Sequence, residues 1–155
     1  MSFAMGLVGC GGMGRRHVIG MKQLKAAGKL NFDLVAVCDI MPENLQKMVA
    51  HSEELLGTRP QAFADFDSMI KAVKLDGIIV TTSPEMHVEV AEKAFDAGIH
   101  VMVEKPITLT VSEGVRLVEA AKKADRKLAV AATKSNVSTS SLSKSIAVES
   151  DCDAF

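Results

Sequence analysis

The sequence predicts an α/β domain built on a doubly wound parallel sheet. Three observations carry this. Short, nearly all-apolar runs recur along the chain. Each is followed by a stretch whose apolar residues fall at helical spacing, and strands separated by helices pair in parallel through crossovers. The chain has 155 residues, 48% of them apolar, which suits one domain with a core of its own. Strands without polar alternation fit a sheet covered on both faces.

The elements follow in order. Residues 3–8 form an apolar run ending in glycines, hence a buried strand and a turn. Residues 13–27 carry Val18, Met21, Leu24 and Lys25 at helical spacing, and Gly28 is a natural stop. Residues 34–38 are a second strand. Residues 42–56 form a second helix, with Pro42 suited to a first turn. Residues 61–63 are a short third strand and 66–73 a short helix. Residues 77–81 are a fourth strand around Ile78-Ile79-Val80. Residues 84–97 form a helix with Met86, Val90, Ala94 and Ala97 near one face, closed by Gly98. Residues 100–103 are a fifth strand. Residues 112–124 are a helix with Ser112 as its cap, and 128–131 a sixth strand.

Beyond residue 132 the texture changes. Residues 134–155 contain seven serines, no Gly or Pro, and little periodicity. The domain is therefore placed at 1–132. Residues 133–155 are expected to be a Ser-rich, flexible or loosely docked tail, with a weak helical turn at 145–148.

Composition removes several function classes. The 18 basic and 19 acidic side chains nearly cancel, giving a net charge of −1. No nucleic acid or anionic membrane is expected as partner. Tyr and Trp are absent, so no stacking platform for single strands is present. Cys10, Cys38 and Cys152 read as reduced thiols, and His17, His51, His87 and His100 have no zinc spacing. The start does not resemble a signal peptide, and no run is long enough to span a bilayer. A soluble cytoplasmic protein is expected. Met21, Met48, Met69, Met86 and Met102 read as core filler, not a metal site.

Gly9-Cys10-Gly11-Gly12-Met13-Gly14 places G-x-G-x-x-G between a predicted strand and a predicted helix. One glycine permits the tight turn. Another lets a pyrophosphate approach the backbone. The third lets helix and strand pack closely. Free amides at the helix start, backed by the helix dipole, then bind phosphate. Arg15 and Arg16 add positive charge, or are solvated surface. Cys10 reads as small filler. Asp39 ends the second strand, where a carboxylate accepts from a ribose 2′-hydroxyl and repels a 2′-phosphate. Ile40 and Met41 follow, where an NADP site often has Arg or Ser. NAD is therefore favoured over NADP as the cofactor.

Two further segments belong to the same rim of the sheet. Thr82, Ser83 and Pro84 follow the fourth strand and are expected to line the cofactor between pyrophosphate and nicotinamide. His87 begins the next helix. It is a cofactor contact, or a helix-start or packing residue. Glu104, Lys105 and Pro106 follow the fifth strand. Lys105 is the candidate catalytic residue: a lysine there reaches the nicotinamide face and stabilises negative charge developing on a substrate oxygen. Glu104 is a further cofactor contact, or pairs with a helix or caps a loop.

The glycine loop running on to His17, then Asp39, then Ser83-Pro84-Glu85-Met86-His87, then 97–106 ending in Glu104-Lys105-Pro106, closely resemble the N-terminal half of the Gfo/Idh/MocA (glucose–fructose oxidoreductase / inositol dehydrogenase) family. The resemblance covers about residues 3–132. It implies a Rossmann fold and oxidation of sugar or polyol hydroxyls, or reduction of the matching ketones, with NAD or NADP. It also implies Lys105 as the catalytic-site lysine, and Gly9, Gly11, Gly14, Asp39, Ser83 and Glu104 as cofactor contacts; Gly12 and Met13, within the same loop, are expected to contact the cofactor as well.

The family's second domain supplies acid–base residues, much of the substrate pocket and the usual oligomer interface. It has no counterpart in these 155 residues. A truncated product is therefore expected, able to bind dinucleotide with little or no turnover. The surface that meets a second domain would be exposed, so self-association into a homo-oligomer is a further expectation. The alternative is a catalytically silent dinucleotide-binding module.

Overall fold

The computed structural model describes residues 3–131. The expected tail at 133–155, its helical turn and Cys152 lie outside the described residues. The chain runs β1 (Phe3–Val8), α1 (Gly12–Ala26), β2 (Phe32–Cys38), α2 (Pro42–Leu56), β3 (Gln61–Phe63), α3 (Phe66–Ala72), β4 (Gly77–Val80), α4 (Pro84–Asp96), β5 (His100–Glu104), α5 (Val111–Ala124) and β6 (Leu128–Ala131). The strands form one 6-stranded sheet in the order β3-β2-β1-β4-β5-β6. Every strand pairing is parallel.

Strand periodicity divides the core in two. Side chains alternate across a strand. Leu7, Val37 and Ile79 therefore point to one face, where Val18 and Met21 of α1 and Met48 and Leu56 of α2 cover them. Val8, Ala36, Cys38, Ile78 and Val80 point to the other, under Phe66 and Met69 of α3, Phe95 of α4 and Leu117 of α5. Helices cover both faces, which is why the strands read as nearly all-apolar runs.

This layout puts the ends of β1 and β4 side by side, with Val8 opposite Val80 and also opposite Cys38 of β2. The chain turns outward in opposite directions from β1 and β4. That divergence is the switch point, where doubly wound sheets bind ligands beyond their carboxyl ends.

Three expectations are corrected. Met86 is 42% exposed and fills no core. The buried face of α4 is instead His87, Val88, Val90, Ala91, Ala94 and Phe95. Leu24 is likewise 40% exposed, and α1 buries Gly14, Val18 and Met21. The cap of α5 is Thr110, not Ser112, in a reciprocal capping box with Glu113. Glu113 N–H donates to Thr110 Oγ1 at 3.3 Å, and Thr110 N–H donates to Glu113 Oε2 at 3.0 Å. Thr110→Ala is expected to cost about 1 kcal/mol of stability, read as a lower urea midpoint. An equal loss in Ser112→Ala with none in Thr110→Ala would contradict this cap.

Candidate active site

The glycine loop is shaped by what surrounds it. Gly9 has φ +96, a conformation costly for any side chain, and a Cβ there would sit 2.7 Å from the Thr81 carbonyl carbon. A Cβ on Gly14 would collide with the Gly9 carbonyl oxygen and lie 3.2 Å from Met48 Cε. These two positions are glycine because protein atoms leave no room. Gly11 and Gly12 differ: a Cβ on either meets no protein atom within 4 Å. Packing does not demand glycine there, whereas a ligand backbone needing close approach would. Gly11 is also the N-cap of α1 and makes no side-chain cap bond, and the first turn carries no acid. The amides of Gly12, Met13 and Gly14 thus open the helix without intrahelical acceptors, an arrangement suited to phosphate oxygens.

Asp39 stands at the end of β2 with both carboxylate oxygens engaged. Oδ2 accepts from the Cys10 N–H at 2.7 Å and from Asn44 Nδ2 at 3.3 Å. Oδ1 accepts from the Met41 N–H at 2.8 Å. The carboxylate therefore ties the glycine loop to the start of α2. Its remaining lone pairs stay available to a ribose hydroxyl.

The loop after β4 is tied to the glycine loop by Thr81, whose hydroxyl donates to the Gly9 carbonyl at 2.6 Å. Thr82 and Pro84 are half-buried, and Ser83 is the exposed N-cap of α4 with Pro84 in its first turn. His87 is 1% exposed. Its Nε2 lies 3.0 Å from the Thr82 carbonyl and its Nδ1 3.0 Å from the Pro106 carbonyl. Glu104 is buried at the end of β5. Its Oε1 lies 2.7 Å from His17 Nε2 of α1, and its Oε2 accepts from the Lys105 N–H at 3.1 Å. The Lys105 side chain is exposed, and the Lys105–Pro106 bond is cis. All the predicted site residues lie at one rim. The reading of Glu104 as a helix partner describes its Oε1.

Residues 3–132 match the family model described as an oxidoreductase family with an NAD-binding Rossmann fold, Gfo/Idh/MocA. The chain belongs to this family. The inositol 2-dehydrogenase of Klebsiella pneumoniae is 34% identical over 128 residues, 83% of this chain and 36% of that protein. The myo-inositol 2-dehydrogenase of Thermotoga maritima is 30% identical over 121 residues, 78% of this chain and 33% of that protein. Among solved structures, the WlbA dehydrogenase of Chromobacterium violaceum, in complex with NADH and UDP-GlcNAcA, superposes with a TM-score of 0.73. It shares 30% identity over 84% of this chain and 35% of that chain. The chain thus spans about a third of the length of these relatives.

As a Gfo/Idh/MocA domain the chain matches an NAD-binding Rossmann family model. The open space at Gly11 and Gly12, the unpaired amides of α1 and the acid at Asp39 fit a dinucleotide. Three contributors carry no strong sequence signal: His17, Asn44 and Thr81. His17 lies within the matched motif, but its partner Glu104 is 87 positions away. Asn44 and Thr81 are known only through their contacts to Asp39 and Gly9.

Cys10 fits its reading as filler. It is 2% exposed, and burial, the Asp39 carboxylate and neighbouring Cys38 push its thiol up to about 12. Cys38 is pushed up to about 12 by burial and by Asp65 and Asp39. Only the thiolate attacks electrophiles. Native chain treated with iodoacetamide at neutral pH is therefore expected to leave both unlabelled, and urea to expose both, as read by peptide mass spectrometry. Fast native labelling of Cys10 would contradict the packing described.

A cavity of about 560 Å3 lies between Phe3, Lys74, His100 and Arg126. It opens at the amino ends of β1, β4 and β5, on the rim opposite the glycine loop, and takes no part in the site. Among the described residues, no helix is long and apolar enough to cross a membrane.

Proposed function

We propose that this chain binds NAD in preference to NADP, and that Lys105 serves hydride transfer between a secondary alcohol of a sugar or polyol and the nicotinamide. The observation that carries the reading is the convergence, on one rim, of an open glycine loop, a carboxylate at Asp39 and an exposed lysine at Lys105. The bound dinucleotide supplies the hydride acceptor or donor. The residues of this chain bind and orient it. Gly11, Gly12, Met13 and Gly14 hold the pyrophosphate, Asp39 holds the adenosine ribose, and Thr82, Ser83 and Pro84 flank the span towards the nicotinamide. Lys105 donates a hydrogen bond to the substrate oxygen and offsets charge as the carbon–hydrogen bond breaks. The inositol dehydrogenases among the relatives support a polyol as substrate.

The described residues 3–131 supply one side of that reaction centre, and the chain spans about a third of the length of the relatives it matches. Water exclusion and an acid–base partner are each worth orders of magnitude in rate. Alone it is expected to bind NAD with little or no turnover. A second domain, or a partner chain such as another copy of itself, would supply the rest. Its buried free thiols Cys10 and Cys38 suit a reducing compartment such as the cytoplasm.

The test follows NADH absorbance with myo-inositol and a panel of sugars. Background rates are expected from the chain alone. A rate is expected when a family C-terminal domain is fused or added, and it should fall at least a hundredfold in Lys105→Ala. A robust rate from the chain alone, or full activity in the assembled Lys105→Ala protein, would contradict the proposal. A second reading, a silent dinucleotide-binding module, is favoured if assembly yields no rate while NAD still binds.

A further inference from the structure

Lys105 stands between two anchored points of backbone. On one side its own N–H donates to Glu104 Oε2, while Glu104 Oε1 lies 2.7 Å from His17 Nε2. On the other side the Pro106 carbonyl lies 3.0 Å from His87 Nδ1. Both imidazoles are mounted on helices packed into the core. His17 precedes buried Val18 on α1, and His87 precedes buried Val88 on α4. Neither ring is built to touch a substrate. His87 is 1% exposed with both nitrogens turned to carbonyls, and the His17 side chain is 19% exposed against Glu104.

The contacts also form a closed circuit. His87 reaches the Thr82 carbonyl at 3.0 Å, and the adjacent Thr81 hydroxyl donates to the Gly9 carbonyl at 2.6 Å. Gly9 leads through the glycine loop into α1, which carries His17 back to Glu104. Three loops that leave different strands are thereby held to one another around the place where the nicotinamide end of a dinucleotide would lie. Loops without such ties sample many conformations, and ordering them on binding lowers affinity.

We propose that His17 and His87 are positioning residues that bracket Lys105 and preform the nicotinamide end of the site. This rests on the dinucleotide reading given above. It assigns a role to each imidazole that is separate from direct cofactor contact. Asp39 and the amides of α1 govern the adenosine and pyrophosphate end. The two histidines govern the other end.

The experiment compares calorimetric affinities of the full chain for NAD and for ADP-ribose, which lacks the nicotinamide. The variants are His87→Ala, His87→Gln and His17→Gln. Wild type is expected to bind NAD more tightly than ADP-ribose. His87→Ala and His17→Gln are each expected to lose about tenfold in NAD affinity, and all three variants to keep ADP-ribose affinity within about twofold. His87→Gln keeps volume and one donor, so it should lose less than His87→Ala. His17→Gln tests the partly exposed bracket should a buried His87 variant fail to fold. Equal losses for both ligands, no loss for either, or a wild type that binds the two ligands alike would overturn the proposal. A wild type that binds neither ligand would instead overturn the dinucleotide reading, and this proposal with it.

Discussion

Gly14→Ala is expected to abolish measurable NAD binding and to destabilise the domain, whereas Gly11→Ala is expected to abolish binding alone. A methyl on Gly14 would overlap the Gly9 carbonyl oxygen and press within 3.3 Å of Thr81 Oγ1. That hydroxyl already donates to the same carbonyl, so the glycine loop and the loop after β4 would have to move together. Overpacking of this kind costs about 1–3 kcal/mol, and it displaces the very amides proposed to face the phosphates. At Gly11 a methyl meets no protein atom within 4 Å. The fold should therefore keep its melting temperature, while the methyl stands where the pyrophosphate must approach. Thermal unfolding measured beside NAD titration separates the two. Normal NAD affinity in Gly11→Ala would remove the phosphate role of the loop.

Asp39→Ala is expected to weaken NAD binding by about tenfold to a hundredfold, the worth of one or two hydrogen bonds to a charged acceptor. It should also narrow the gap between NAD and NADP, because the carboxylate that repels a 2′-phosphate is gone. Part of the loss has a second origin. Asp39 accepts from Cys10 N–H, Met41 N–H and Asn44, so its removal frees the glycine loop from α2. Asp39→Asn separates these contributions. Its amide oxygen can still accept from Cys10 while the charge is lost, so preference between the cofactors should shift more than stability does. Competition titrations with NAD and NADP on each variant check this. An unchanged preference in both would place the discrimination elsewhere.

Much of the fold was legible because local and global signals agree. Pro42 opens α2, and Gly57 closes it with φ +67. The apolar runs of β1, β3 and β6 have the bounds expected from sequence. Met86 and Leu24 sit at apolar spacing, but a shift of one position in helical phase sends a side chain to solvent. Thr110 and Ser112 are both good cap residues, and the choice between them lay in Glu113, three positions after Thr110. Adjacent β2 residues Phe32 and Asp33 were missed because Asp33 breaks the apolar run while its backbone still pairs with Ala4.

The site was legible as motifs and illegible as a network. The glycine spacing, Asp39 and Lys105 announce themselves by type and position. The distinct duties of the glycines do not: Gly9 and Gly14 answer to protein atoms, Gly11 and Gly12 to open space. The bonds that join the motifs link residues far apart in sequence, such as His17 with Glu104 and His87 with Pro106. Periodicity and spacing carry no information on such pairs, because only the crossing of strands brings them together.

These residues are proposed to form a working, NAD-selective dinucleotide site. A calorimetric titration of the 155-residue chain with NAD and, separately, NADP tests it most directly. Saturable binding of NAD at one site, with NADP weaker, is the predicted result. No binding of either nucleotide, or tighter binding of NADP, would contradict it.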